Sequence, residues 1–62
     1  MIGNLIEKLV QKQNLTFDEA VSAMTSIMDG EATPSQFASL VTALRMKGET
    51  VEEVSGMASV MR

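Results

Sequence analysis

Cysteine, histidine, tryptophan and tyrosine are all missing from this sequence of 62 residues, and its only aromatics are two phenylalanines. Without cysteine no disulfide can staple the chain, and without cysteine or histidine the usual metal clips are excluded. The same absences remove most general acids, bases and nucleophiles, leaving carboxylates, serine and lysine. Proline occurs once, at Pro34, and four glycines stand apart at 3, 30, 48 and 56, so no glycine-rich phosphate loop is present. Basic residues are few and scattered: five Lys and Arg against eight Asp and Glu give a net charge of −3, which argues against a nucleic-acid partner. No apolar run is long enough to cross a bilayer, and the N-terminus lacks the basic region and long apolar core of a secretory signal. The expectation is a cytoplasmic chain with neither nucleic acid nor membrane as partner.

Sixty-two residues make one domain at most. A chain this short buries only about 60% of the surface exposed by its unfolded form. Its core alone rarely supplies more than roughly 3–5 kcal/mol. Stability must come from well-formed helices or from a partner that covers more surface. Composition agrees: 45% of the residues are hydrophobic and six are Met, which with the many Ala, Leu and Val suit helices better than strands. Met also suits adaptable contact surfaces.

Ile2, Leu5, Ile6, Leu9 and Val10 repeat at i, i+3, i+4, i+7 and i+8, one helical stripe. Lys8 and Lys12 fall in its last turn, where the dipole favours cations. Three further helices share one start signal. Thr16 with Glu19, Thr33 with Gln36, and Thr50 with Glu53 each match the capping box, in which threonine accepts from the N3 amide and the N3 side chain reaches back to the threonine amide. Pro34 suits the first helical position, and Gly30 and Gly48 suit left-handed helix ends. The spacing predicts an all-α fold, a compact bundle of four short helices at about 2–12, 17–29, 34–47 and 51–61. Equal helices joined by equal turns explain the 17-residue spacing of the capping threonines better than a repeat array does.

The second helix is expected to bury Phe17, Ala20, Val21, Met24, Ile27 and Met28, and the fourth to offer Val51, Val54, Met57, Ala58 and Met61. The third carries Phe37, Leu40, Val41 and Leu44 on one stripe and adds Ala38, Ala43 and Met46 beside it. That belt exceeds what a small core needs, so part of it is expected to meet a partner.

Little chemistry is available. Asp18/Glu19 and Glu52/Glu53 resemble metal or acid–base pairs, yet each pair sits at the second and third positions of a helix, where dipole and capping box place acids anyway, and adjacent helical residues do not share a face. Asp29 stands at the unfavourable negative end of its helix; a solvated Asp-Gly turn is the plainer reading, a pairing with Arg45 or Lys47 the sharper one. Arg45 and Lys47 suit the end of the third helix, and two cations alone are weak evidence for an anion site. Gly56 inside the fourth helix costs about 0.8–1 kcal/mol relative to alanine and is read as a close helix approach, with a pivot as the alternative. No catalytic, cofactor-binding or metal-binding residue is assigned.

The run from Met28 to Arg62, above all Gly30-Glu31-Ala32-Thr33-Pro34-Ser35-Gln36 and Ala43-Leu44-Arg45-Met46-Lys47-Gly48-Glu49-Thr50, closely resembles the start of the anthranilate phosphoribosyltransferase family, and the likeness extends more loosely back through Leu5–Ala20. Pyrimidine-nucleoside phosphorylases share a similar helical domain but are less like the Ala43–Thr50 segment. The resemblance implies a phosphoribosyltransferase of tryptophan biosynthesis, a glycosyltransferase that joins anthranilate to phosphoribosyl pyrophosphate with magnesium. It implies a small N-terminal helical domain and a larger α/β domain, with substrates in the cleft between them. The pyrophosphate loop and the acidic magnesium-binding residues belong to the larger domain, so residues 1–62 read as the helical domain alone, binding no cofactor and inactive by themselves. The resemblance also implies homodimers formed mainly through the helical domains, with the first and third helices prominent, and Ala38 and Ser39 are small enough for close backbone approach. Leu5, Leu9, Phe37, Ala38, Leu40, Val41 and Leu44 are therefore the candidate dimer or interdomain contacts, and Thr16, Glu19, Gly30, Thr33, Gln36, Gly48, Thr50 and Glu53 the capping residues. A stand-alone helical interaction module is the alternative.

Overall fold

A computed structural model describes residues 2–61; Arg62, the last residue of the family-like run, lies outside them. Four helices follow in order: α1 (Ile2–Val10), α2 (Phe17–Met28), α3 (Pro34–Lys47) and α4 (Val51–Val60). Among the described residues there is no strand. α1 packs on α3, α2 packs on α4, and α1 touches α2, so the bundle is two helix pairs joined side by side. Ile2, Leu5, Leu9, Leu15, Ala23, Leu40, Ala43 and Leu44 form the core, flanked by half-buried Ile6, Ile27, Ala32 and Met57.

All three capping boxes are present, each with both hydrogen bonds. The ends are equally specific. Gly30 takes a φ of 77°; its N–H donates to the Ile27 carbonyl and the next amide, Glu31, donates to Ser26, which is the paired Schellman closure of α2. Gly48, at φ 96°, donates to Leu44 at the end of α3. α1 closes in the same way without a glycine. The amides of Lys12 and Gln13 donate to the carbonyls of Leu9 and Lys8, which places Lys12 in the left-handed region at φ 65°. α1 therefore stops at Val10, two residues before its expected end.

Two expected burial patterns are corrected. On α2 the core side is small, Ala20, Ala23 and Ser26 with Met24, while Phe17 and Met28 are exposed at the helix ends. On α4 most of the expected stripe points outward: Val51, Val54, Ala58 and Met61 are exposed, Met57 alone of the five is half-buried against the core, and the buried residues are Glu53 and Gly56. The cause is the closeness of α2. A Cβ at Gly56 would lie 2.6 Å from the Phe17 carbonyl oxygen and 2.8 Å from the Ala20 Cβ, so α4 can sit at this distance only by presenting its smallest face.

Candidate interaction surface

The side of the bundle formed by α1 and α3 carries a shallow groove of about 390 Å³, lined by Ile6, Val10, Ala38, Ser39, Thr42, Ala43 and Met46. Helical spacing builds it. Ile6 and Val10 are one turn apart on α1, and Ala38, Thr42 and Met46 follow at successive i+4 steps on α3. The small residues Ala38, Ser39 and Ala43 make its floor, which leaves room for the backbone of another helix to come near. Met46 is 82% exposed at one end, a flexible thioether side chain with little of its own chain to cover it.

Of the seven contact residues expected from sequence, Leu5, Leu9, Leu40 and Leu44 are buried in the core and present no surface. They face inward because α1 and α3 pack on each other through their leucines. Phe37 and Val41 are 45% and 41% exposed, and Ala38 is exposed on the groove. Of the other groove residues, Ala43 and Met46 belong to the excess belt expected on α3, and Ser39 fits the close approach expected there beside Ala38; Ile6, Val10 and Thr42 are absent from the expectation. The signal for Ile6 and Val10 was available: five apolar positions on a nine-residue helix make a stripe wider than one neighbour can cover. A second apolar surface is the outward stripe of α4, where Val51 is 78% exposed.

The charged residues hold helices in place. Lys8 Nζ donates to Glu19 Oε1 at 2.6 Å, and the Thr16 amide donates to the same oxygen at 2.9 Å, so one capping carboxylate also ties α1 to α2. The Lys8 hydrogen bond, helped by the Thr16 amide, holds the Glu19 carboxyl below the usual carboxylate range. Glu53 is fully buried. Its Oε2 accepts from the Leu15 amide at 2.7 Å, and its Oε1 accepts from the Thr50 amide and Lys47 Nζ, both at 2.9 Å. Burial pushes the Glu53 carboxyl up, but the Leu15 and Thr50 amides and Lys47 outweigh it and hold the group below its ordinary value. Lys47 thus answers Glu53 rather than Asp29 or an external anion. Arg45 lies 3.9 Å from Glu49 on the surface, a pair that contributes little, and among the described residues Asp29 makes no ion pair.

Both candidate acid pairs are split by these roles. Glu19 and Glu53 are caps and ion-pair partners, while Asp18 and Glu52 are exposed. Among the described residues no group of three His, Cys, Asp or Glu side chains is placed to hold a metal ion, and no helix is long and apolar enough to cross a membrane. What the geometry offers is apolar contact surface on two sides of a capped bundle.

Residues 3–62 match the model of the glycosyl transferase family, helical bundle domain. Over all 62 residues the chain is 53% identical to the anthranilate phosphoribosyltransferase of Geotalea uraniireducens (strain Rf4), 55% to that of Pelotomaculum thermopropionicum, and 52% to that of Acetivibrio thermocellus. It spans 18% of the length of each of these relatives.

Proposed function

Since the chain belongs to the glycosyl transferase family, helical bundle domain, we propose that it is the N-terminal helical domain of a cytoplasmic anthranilate phosphoribosyltransferase. The observation that carries this reading is identity of 52–55% to enzymes of that name along the full 62 residues. The parent enzyme transfers phosphoribosyl from phosphoribosyl pyrophosphate to anthranilate with Mg2+, in the synthesis of tryptophan. This domain supplies one wall of the cleft and the dimer contact, and the chemistry belongs to the α/β domain. The α1/α3 groove is the surface for a second copy of the chain: it is apolar and floored by small residues. The outward stripe of α4 is the surface for the larger domain.

Two experiments test it. Replacing the corresponding segment of the Geotalea uraniireducens enzyme with residues 1–62 should preserve phosphoribosyl transfer to anthranilate; a folded, inactive chimera would overturn the assignment. Sedimentation of the chain at micromolar concentration should show a dimer that Val10→Glu with Met46→Glu converts to a monomer of unchanged helicity. A wild-type chain that is a folded monomer would overturn the dimer contact alone.

A further inference from the structure

We infer that the Lys47–Glu53 pair is an acid-released clasp between the two halves of the bundle: neutralising Glu53 opens the α1–α2 turn and the start of α4 while the α1/α3 and α2/α4 pairs stay packed. The inference concerns the chain's own packing and is independent of which enzyme the domain serves.

The geometry brings three separate segments to one carboxylate. Leu15 belongs to the α1–α2 turn, Lys47 ends α3, and Thr50 caps α4. Apart from this corner, the two helix pairs meet mainly where α1 touches α2. Lys47 is as fully committed as its partner. Its ammonium donates to Glu53 Oε1, to Asn14 Oδ1 at 3.0 Å and to the Gly48 carbonyl at 2.7 Å, using all three hydrogens, and its side chain is only 5% exposed.

Every group facing the carboxylate is a donor: two amides and an ammonium. A proton added to Glu53 turns one acceptor oxygen into a fourth donor among groups that already donate to the carboxylate, and it removes an acceptor that the Leu15 and Thr50 amides and Lys47 share. It also leaves the Lys47 charge buried without its counter-ion, a costly arrangement relieved by letting water in. The lowered pKa of Glu53 fits this donor-only setting.

The other charges around the corner do not substitute. Lys12 borders the same depression as Lys47 and adds positive charge. Glu49 and Glu52 are exposed, and Glu19 of α2 is held by Lys8 and the Thr16 amide. α2 meets α4 through the uncharged Ala20–Gly56 contact, which the proton leaves untouched.

Adjacent backbone amides provide the test, since Leu15 reports on Glu53 and Thr16 on Glu19. Amide exchange is followed by NMR from about pH 7 to about pH 2, corrected for intrinsic rates. Protection at Leu15 should fall at least about tenfold as Glu53 titrates, while Leu9 and Leu40 keep theirs. Glu53→Gln, which preserves the capping box as Gln36 does in α3, should show the loss already at neutral pH and no further acid step. Glu19→Gln should leave the Leu15 step in place. Leu15 protection that is insensitive to acid, or that falls only together with Leu9 and Leu40, would overturn the inference. If Glu53→Gln does not fold, the wild-type titration decides between the same outcomes.

Discussion

At Gly56 a methyl group would meet the Phe17 carbonyl oxygen at 2.6 Å, and the Phe17 backbone cannot swing aside as a side chain can. Gly56→Ala therefore sets two effects against each other. Helix propensity gains about 0.8–1 kcal/mol, and overpacking typically costs about 1–3 kcal/mol. Backbone contact puts this site at the upper end, so urea denaturation should show net destabilisation of about 1–2 kcal/mol; an unchanged or higher midpoint would mean that α2 and α4 can separate freely. Lys12 presents the opposite case. It holds a left-handed conformation that costs non-glycine residues about 1–2 kcal/mol, and its backbone closes α1. Lys12→Gly should stabilise the chain by about 0.5–1 kcal/mol after the entropy gained by the unfolded state, as read by the same urea midpoint.

The three capped helices share one device in different surroundings. Thr33 and Gln36 cap α3 at an exposed start, while Thr50 and Glu53 cap α4 beside the buried corner. Thr33→Ala should cost about 1 kcal/mol by thermal denaturation, the usual value for a lost N-cap. Thr50→Ala should cost more, since it also loosens the segment that positions Glu53. Equal losses at both sites would show that the corner and the cap act separately. Helix starts were legible because a capping box is a local motif; α3 was read to the residue because Thr33, Pro34 and Gly48 all mark its limits. The end of α1 was not, because nothing in the type of residue 12 announces a left-handed lysine. Burial on α4 was misread for a different reason. Periodicity finds an apolar stripe but not the side on which a neighbour lies, and here Gly56 and Ala20 decide that side. The same gap put Leu5, Leu9, Leu40 and Leu44 among the contact residues, although each helix of the α1/α3 pair uses its leucines on the other.

At the scale of the molecule, two carboxyls among the described residues are lowered, and both enter the acid response. Glu19 and Glu53 both bind protons less readily in the folded chain than in the unfolded one, so stability rises with pH through the interval between those values. Their contribution is complete above the ordinary carboxylate value of 4.5 and is lost as pH falls through the lower native values. Urea midpoints should accordingly be flat near neutrality and decline below about pH 4.5. High salt should flatten the part due to Glu19, which is partly exposed with Lys8, and leave the part due to buried Glu53. A decline that vanishes entirely in salt would remove Glu53 from the account. The outward stripe of α4 has a consequence for how the sequence can drift. Val51, Val54 and Met61 make little of this core, so serine or glutamine at those positions leaves the isolated bundle nearly as stable as before. Selection for the fold alone is blind there, and any pressure that keeps the stripe apolar has to act through the surface that covers it.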